Sequence, residues 1–186
     1  MRLGVLASGT GTILEALVAA GLDIVVVVVD RPCRATDVAA AAGLAVVHVE
    51  RPSFGPGFDR VGFSKQVALA LEEHATELAA IAGFGTVLDP TFFELFGRPV
   101  LNTHPSLLPA FKGWHAVDEA LAMGVKVTGC TVHVATAEVD AGPILAQEAV
   151  PVLPGDDAAS LHERIKAVER RLYPETIARF ARGELP

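Results

Sequence analysis

Asn102 and His104 stand two positions apart in a segment that reads as a strand end, so alternation along the chain puts a carboxamide and an imidazole on one face. Two N–H donors placed side by side can polarise a single oxygen. Asp140, in a loop bordered by Gly142, would stabilise the imidazolium if it approached His104, leaving a cationic donor near neutral pH. On spacing alone the pair also suits a structural role beside a turn, and both roles stay open at this point. A second candidate is Ser8-Gly9-Thr10-Gly11-Thr12, which follows one apolar run and opens a helical pattern. Bare backbone N–H groups and the positive end of a helix would make it a cradle for phosphate. The alternative is an ordinary strand-to-helix turn capped by Thr10 or Thr12.

Other chemistries find less support. Asp30 ends the second apolar run, where the acidic ribose partner of a dinucleotide fold would sit, but Leu14 occupies the third glycine position of that fingerprint. There is no GxxxxGK[ST] loop, and His162-Glu163-Arg164-Ile165-Lys166 lacks the second histidine of a zinc-protease helix. His48, His74, His133 and His162 lie on ordinary elements and read as surface or satisfied-core residues. Cys130, a small thiol inside an apolar strand, reads as inert packing.

The elements that must position these groups alternate in type. Strands are expected at Leu3 to Ala7, Ile24 to Val29, Ala45 to Val49 and Leu78 to Ala82, with helices at Thr12 to Ala20, Thr36 to Ala42 and Val61 to His74. The run Ile24 to Val29, apolar on both faces, predicts a central strand of a parallel sheet. Residues 52–57 form a breaker-rich loop. A short helix follows Pro90, then a strand at about Pro99 to Asn102, an irregular segment from His104 to Gly113 and a helix at Trp114 to Met123. Strands at Val125 to Val134 and Ile144 to Val152 flank the loop Glu138 to Gly142, and a last helix starts near Asp157 with Leu161, Ile165, Val168 and Leu172 as its stripe. Pro174 is expected to start or kink the final turns. The pattern predicts an α/β fold, a Rossmann-like open and mostly parallel twisted sheet with helices on both faces and antiparallel strands near the C-terminal part. The segment after the 99–102 strand lies at the carboxyl edge, where such sheets bind ligands.

With 186 residues, 51% of them hydrophobic and 20% charged, the chain is expected to fold as a single domain, 1–186. A net charge of -7 offers no basic field for a polyanion, so nucleic acid is not an expected partner. Two distant cysteines exclude a disulfide framework and a multi-thiolate zinc site, and suit a reducing cytoplasm. Neither a signal peptide nor an apolar run of about 20 residues is found, so no membrane role is expected.

Asn102-Thr-His104-Pro105-Ser106-Leu107-Leu108-Pro109, with Val132-His133 and Asp140-Ala-Gly142-Pro143-Ile144, closely resembles the phosphoribosylglycinamide formyltransferases. The likeness runs from Ser8-Gly9-x-Gly11 through Ala82-Gly83-Phe84 to Glu169 and Tyr173-Pro174. The resemblance implies that the amine of glycinamide ribonucleotide attacks the formyl carbon of 10-formyltetrahydrofolate, a cosubstrate, in purine synthesis. Asn102 and protonated His104 would stabilise the tetrahedral oxyanion and Asp140 would tune His104 and help relay protons, with no metal. It further implies substrate contacts from Gly9, Thr10, Gly11, Thr12, Pro105, Ser106 and Glu169. Folate contacts would come from Arg60, Phe84, Gly85, Thr86, Val87, Leu88, Glu138 and Val139, Arg60 meeting the glutamate tail. The expected partners are these small molecules, and the expected assembly is a monomer or weak homodimer. Ile13 stands where the family pattern has a phosphate-bonding Asn, and Gly85-Thr86 where bulky and basic residues are common. A formyl-folate hydrolase using the same three residues, and a non-catalytic nucleotide- or folate-binding module, are the alternatives; His104-Pro105 resembles the transferase form of the loop.

Overall fold

The computed structural model describes residues 1–52, 55 and 57–186; three residues of the 52–57 loop, 53, 54 and 56, lie outside the described residues. In chain order the elements are β1 (Leu3–Ala7), α1 (Thr12–Ala19), β2 (Ile24–Val29), α2 (Arg34–Ala41), β3 (Val46–His48), α3 (Arg60–Glu73), β4 (Leu78–Ile81), α4 (Pro90–Phe96), β5 (Val100–His104), α5 (Ala116–Met123), β6 (Val127–Val134), β7 (Ile144–Pro151) and α6 (Ala158–Ala181). The strands form one mostly parallel seven-stranded sheet, ordered β3-β2-β1-β4-β5-β6-β7. Residues Met1–Leu101 and Asn102–Pro186 make two compact units.

In the first unit β1 runs parallel to both β2 and β4, and β2 parallel to β3, so β1 and β2 are interior strands. Every residue of β1 is buried and only Val25 of β2 is partly exposed, as expected for strands covered on both faces. The β-branched valines of β2 suit the extended backbone and supply apolar surface to either side. β1 ends at Ala7 and the chain turns at Gly11, whose φ of 73° is left-handed, before entering α1. A Cβ at Gly11 would stand 3.0 Å from the Ala35 Cα, so both the turn and the approach of α2 require glycine here. α2 begins earlier than the expected Thr36, because extended Cys33 already serves as its N-cap.

In the second unit β6 and β7 are antiparallel, in register from Val127↔Pro151 to Val132↔Ala146, and the register shifts between Val132 and His133. The irregularity lies at the strand end that leads into the loop carrying Asp140. α6 is closed at its start by a capping box between Asp157 and Ser160 and runs 24 residues without a break. Pro174 lies within it and neither starts nor ends a helix, while Leu161, Ile165, Leu172 and Ile177 are buried along its inner stripe. Among the described residues, no helix is long and apolar enough to cross a membrane.

Candidate active site

β5 continues to His104, two residues past the expected end at Asn102, so His104 is the last strand residue and the irregular segment begins at Pro105. The His104 side chain is 6% exposed and both ring nitrogens face oxygen acceptors: Nδ1 lies 3.3 Å from Asp140 Oδ2 and Nε2 lies 2.7 Å from the Phe111 carbonyl. The ring is thus held between a carboxylate and a carbonyl, both of which can accept from a ring N–H. Asp140 itself is buried, with a positive φ of 51°. Its Oδ2 also accepts the Gly113 backbone N–H at 2.8 Å. Burial alone would raise its carboxyl, but hydrogen bonds from His133 and Gly113 and the charge of the two histidines outweigh that and hold it below the ordinary carboxylate range. It therefore stays ionised at neutral pH.

His133, expected as a surface or satisfied-core residue, is buried and joins the other two groups. Its Nδ1 lies 3.1 Å from the Val134 carbonyl, and its Nε2 lies 3.2 Å from Asn102 Nδ2 and 3.5 Å from Asp140 Oδ1. With Nδ1–H given to the carbonyl, the neutral ring accepts one Asn102 amide hydrogen at Nε2 and leaves the second free; protonated at Nε2, it turns that donor toward Asp140. Only the fold brings His133, 31 residues away in sequence, to Asn102. Its sequence signals are its place in the Val132-His133 part of the family motif and its position near the end of β6, before the Asp140 loop. That loop is pinned where a Cβ on Gly142 would fall 1.8 Å from the Val134 carbonyl oxygen, so no side chain fits.

Further polar residues, missed as site residues, tie down the segment after His104. Thr131 Oγ1 donates to the Ser106 carbonyl at 2.7 Å and accepts from the Leu108 N–H at 3.1 Å; Gln147 Nε2 donates to the Leu108 carbonyl at 2.8 Å. Ser106 is fully buried and gives its hydroxyl hydrogen to the Ala110 carbonyl at 2.6 Å, and Pro105 before it is partly exposed.

Alternation turns Thr103 the other way, with its Oγ1 3.3 Å from Cys130 Sγ and a hydrogen bond to Glu169. Burial pushes the Cys130 thiol up to about 12, so it is no thiolate at neutral pH. Cys130→Ala is accordingly expected to leave turnover within about twofold and to cost roughly 1 kcal/mol of stability as a small buried apolar group; a steady-state assay with a thermal melt checks it. Glu169 is half-buried, and desolvation pushes its carboxyl from 4.5 up to about 7, with Thr103 opposing.

In the first unit the Ser8–Thr12 loop and the Gly83–Leu88 loop follow the carboxyl ends of β1 and β4. They are joined by the Ser8 N–H to the Gly83 carbonyl at 3.1 Å and the Gly85 N–H to Ser8 Oγ at 2.7 Å. Asp30, at the end of β2, is fully buried and bonded by Arg51 Nε at 3.1 Å and Thr86 Oγ1 at 2.8 Å, so it is closed to the ribose of a dinucleotide. Phe84, Thr86 and Leu88 are buried, while Val87 between them is 51% exposed. Arg60, 3.9 Å from Asp89, stands with Phe58, Asp59, Val61 and Gly55 around an open hollow of about 420 Å³. In the second unit Glu138 and Val139 are exposed, Glu138 lying 3.9 Å from Lys112.

An ionised carboxylate and two histidines, all buried, beside a half-buried carboxamide can donate to a developing oxyanion and shift a proton. The comparisons with known proteins agree with that chemistry. The family model described as formyl transferase matches residues 1–177. A phosphoribosylglycinamide formyltransferase from Mycobacterium tuberculosis is 48% identical over 188 residues, covering 97% of this chain and 85% of that one. The trifunctional purine biosynthetic protein adenosine-3 of Homo sapiens is 40% identical over 190 residues, 98% of this chain and 18% of its own length. Among solved structures, glycinamide ribonucleotide transformylase 1 from Symbiobacterium toebii superposes with a TM-score of 0.91 at 42% identity, covering 98% of this chain and 88% of that one. With the family model spanning nearly the whole chain and relatives this similar, the protein belongs to the formyl transferase family.

Proposed function

We propose that the protein transfers the formyl group of 10-formyltetrahydrofolate to the amine of glycinamide ribonucleotide, the formylation step of purine biosynthesis, and that residues 1–186 act as one formyltransferase-type domain. The observation that carries this reading is the cluster of half-buried Asn102 with buried His104, Asp140 and His133 in a chain of this family. The folate supplies the formyl group: a C–N bond forms to the amine, the bond to the folate nitrogen breaks, and one proton passes from the attacking ammonium to that nitrogen. Asn102 donates an amide hydrogen to the formyl oxygen as charge develops there, its carboxamide held in place by His133 Nε2 at 3.2 Å. His104 offers its Nε2 hydrogen to the same oxygen once the Phe111 carbonyl gives way. Asp140, ionised at neutral pH, orients His104 and helps relay the proton leaving the ammonium, through water, to the folate nitrogen.

Gly9, Thr10, Gly11 and Thr12 hold the ribonucleotide phosphate through backbone N–H groups and the start of α1. Glu169 accepts hydrogen bonds from the ribonucleotide, and Pro105 and Ser106 shape the substrate-facing turn after β5. The residues available to the folate fit a flat heteroaromatic with an acidic tail. In the first unit Val87 is 51% exposed, apolar surface of the kind such a ring covers; in the second unit Val139 is 47% exposed. Phe84, Gly85, Thr86 and Leu88 back the first loop, Glu138 accompanies Val139, and the Arg60 guanidinium, 53% exposed, suits the glutamate tail.

Release of tetrahydrofolate is expected to require glycinamide ribonucleotide and to yield formylated amine in equal amount. Release as formate without the ribonucleotide would assign hydrolysis instead, and no release with any amine would assign a binding module.

A further inference from the structure

The Ser8–Gly11 loop has its successive carbonyls bonded to residues around the start of α2. Ser8 O accepts from Arg31 Nε at 2.7 Å, Gly9 O from the Ala35 backbone N–H at 3.2 Å, and Thr10 O from Arg34 Nη1 at 2.6 Å. In a trans peptide the carbonyl and the following N–H point in opposite directions. Fixing these carbonyls therefore fixes the N–H groups of Gly9, Thr10 and Gly11 on the other side of each peptide. Among the described residues none of these N–H groups has an acceptor. Left-handed Gly11 then leads into α1, in the kind of backbone turn that gathers successive N–H groups around an anion. Ile13, where a side-chain donor is absent, is buried and 7% exposed. Beside the hydroxyls of Thr10 and Thr12, the loop therefore relies on main-chain donors to hold an anion, and their alignment bears on its affinity.

We infer that Arg31 and Arg34 are positioning residues for the substrate phosphate: by bonding the Ser8 and Thr10 carbonyls they aim the loop's N–H groups and polarise those peptides toward the anion. The inference rests on the reading that this loop holds the ribonucleotide phosphate. Arg34 also pairs with Glu15, 2.5 Å away, which neutralises its charge and leaves hydrogen-bond geometry as its main contribution. Arg31 has no acidic partner among the described residues, so it adds positive potential as well as geometry. A guanidinium suits this duty because its fork holds a carbonyl in a fixed direction, and polarising a peptide from its carbonyl side strengthens its N–H as a donor.

The test compares two acceptors, glycinamide ribonucleotide and the same ribonucleoside without its phosphate, using the parent enzyme and the double variant Arg31→Ala, Arg34→Ala. The parent is expected to prefer the phosphorylated acceptor. The double variant is expected to raise the ribonucleotide KM by about tenfold, equivalent to ~1.4 kcal/mol, with kcat little changed and the ribonucleoside KM unmoved. Competitive inhibition by inorganic phosphate should weaken in parallel. A structural effect on the fold would instead act on both acceptors, and a thermal melt reports it separately. Both side chains are largely on the surface; if the pair still fails to fold, each single variant carries the same test with a shift of about threefold, half the free energy of the pair. A parent enzyme with no preference for the phosphorylated acceptor overturns the phosphate reading itself. A parent that has the preference and a variant that keeps it, or that loses equally on both acceptors, overturns the role of the arginines alone.

Discussion

His104→Ala is expected to lower kcat for formyl transfer by about 10³-fold, the scale seen when an oxyanion donor is removed from a water-poor site, while ribonucleotide KM changes little. The ring is almost fully buried between Asp140 and the Phe111 carbonyl, so its orientation is fixed before substrate arrives. It contributes a cationic donor whose interaction strengthens only as the formyl oxygen gains charge, the differential interaction that lowers a barrier without tightening ground-state binding. Asn102 keeps its own partner in His133 and would still donate, which leaves residual turnover. Asp140 would lose a cationic neighbour yet retain the Gly113 N–H and His133 beside it, so the loop is expected to hold its place. Rapid-mixing measurement of single-turnover formylation, paired with circular dichroism and a melt, separates chemistry from folding. A variant that turns over at the parent rate would remove His104 from the reaction and leave Asn102 and Asp140 to be tested alone.

Glu169→Gln is expected to stabilise the protein at alkaline pH while weakening the ribonucleotide complex. Burial raises the Glu169 carboxyl from 4.5 to about 7, with the Thr103 hydroxyl opposing. Between those values the folded protein holds a proton that the unfolded chain has released. Stability from this group is therefore complete below about pH 4.5, declines as pH rises, and is lost once pH passes about 7. Glutamine never ionises, so at pH 8 the variant should exceed its parent by on the order of 1–3 kcal/mol and show a flatter dependence of Tm on pH from 5 to 8. The ribonucleotide KM should rise by about 10–100-fold, the loss expected when charged hydrogen bonds become neutral ones. In the parent, KM should likewise climb as pH falls below about 7, where the carboxylate takes its proton. A variant whose melting stays as pH-dependent as the parent's would contradict the raised carboxyl. One that gains stability but binds the ribonucleotide unchanged would confine Glu169 to packing. The opposite effects on stability and binding are those of a charged group kept half-buried for function.

The arginine clasp on the phosphate loop bears on how this chain manages with Ile13. Second-layer hydrogen bonds that hold a first layer of donors are a general means of preorganising a polar site. Here much of the first layer is main chain, which the side chains of the loop do not record. Arg31 and Arg34 carry the information instead, at the start of a different helix.

Alternating apolar runs and helical stripes were legible in the amino-acid order because burial imposes a period of about two on strands and 3.6 on helices. Ile24–Val29 announced an interior strand by being apolar on both faces, and β2 lies between β1 and β3. Asn102 and His104 shared a face through the same short-range alternation, and the family motif supplied the link to Asp140 that spacing could not. The extent of β5 through His104 was less legible, since His104 and Pro105 read locally as a break while hydrogen bonding in the sheet extends the strand one turn of alternation further. Pro174 read as the start or a kink of the final turns, yet α6 runs through it because its buried stripe on either side outweighs one missing backbone bond. Tertiary structure alone decided the partners. His133 reaches Asn102 and Asp140 across the fold, Asp30 meets Arg51 and Thr86 instead of a ligand, and three loop carbonyls find donors around a neighbouring helix start. Periodicity is a local consequence of which faces are buried, whereas hydrogen-bond partners depend on distances across the fold, and these no stretch of sequence contains by itself.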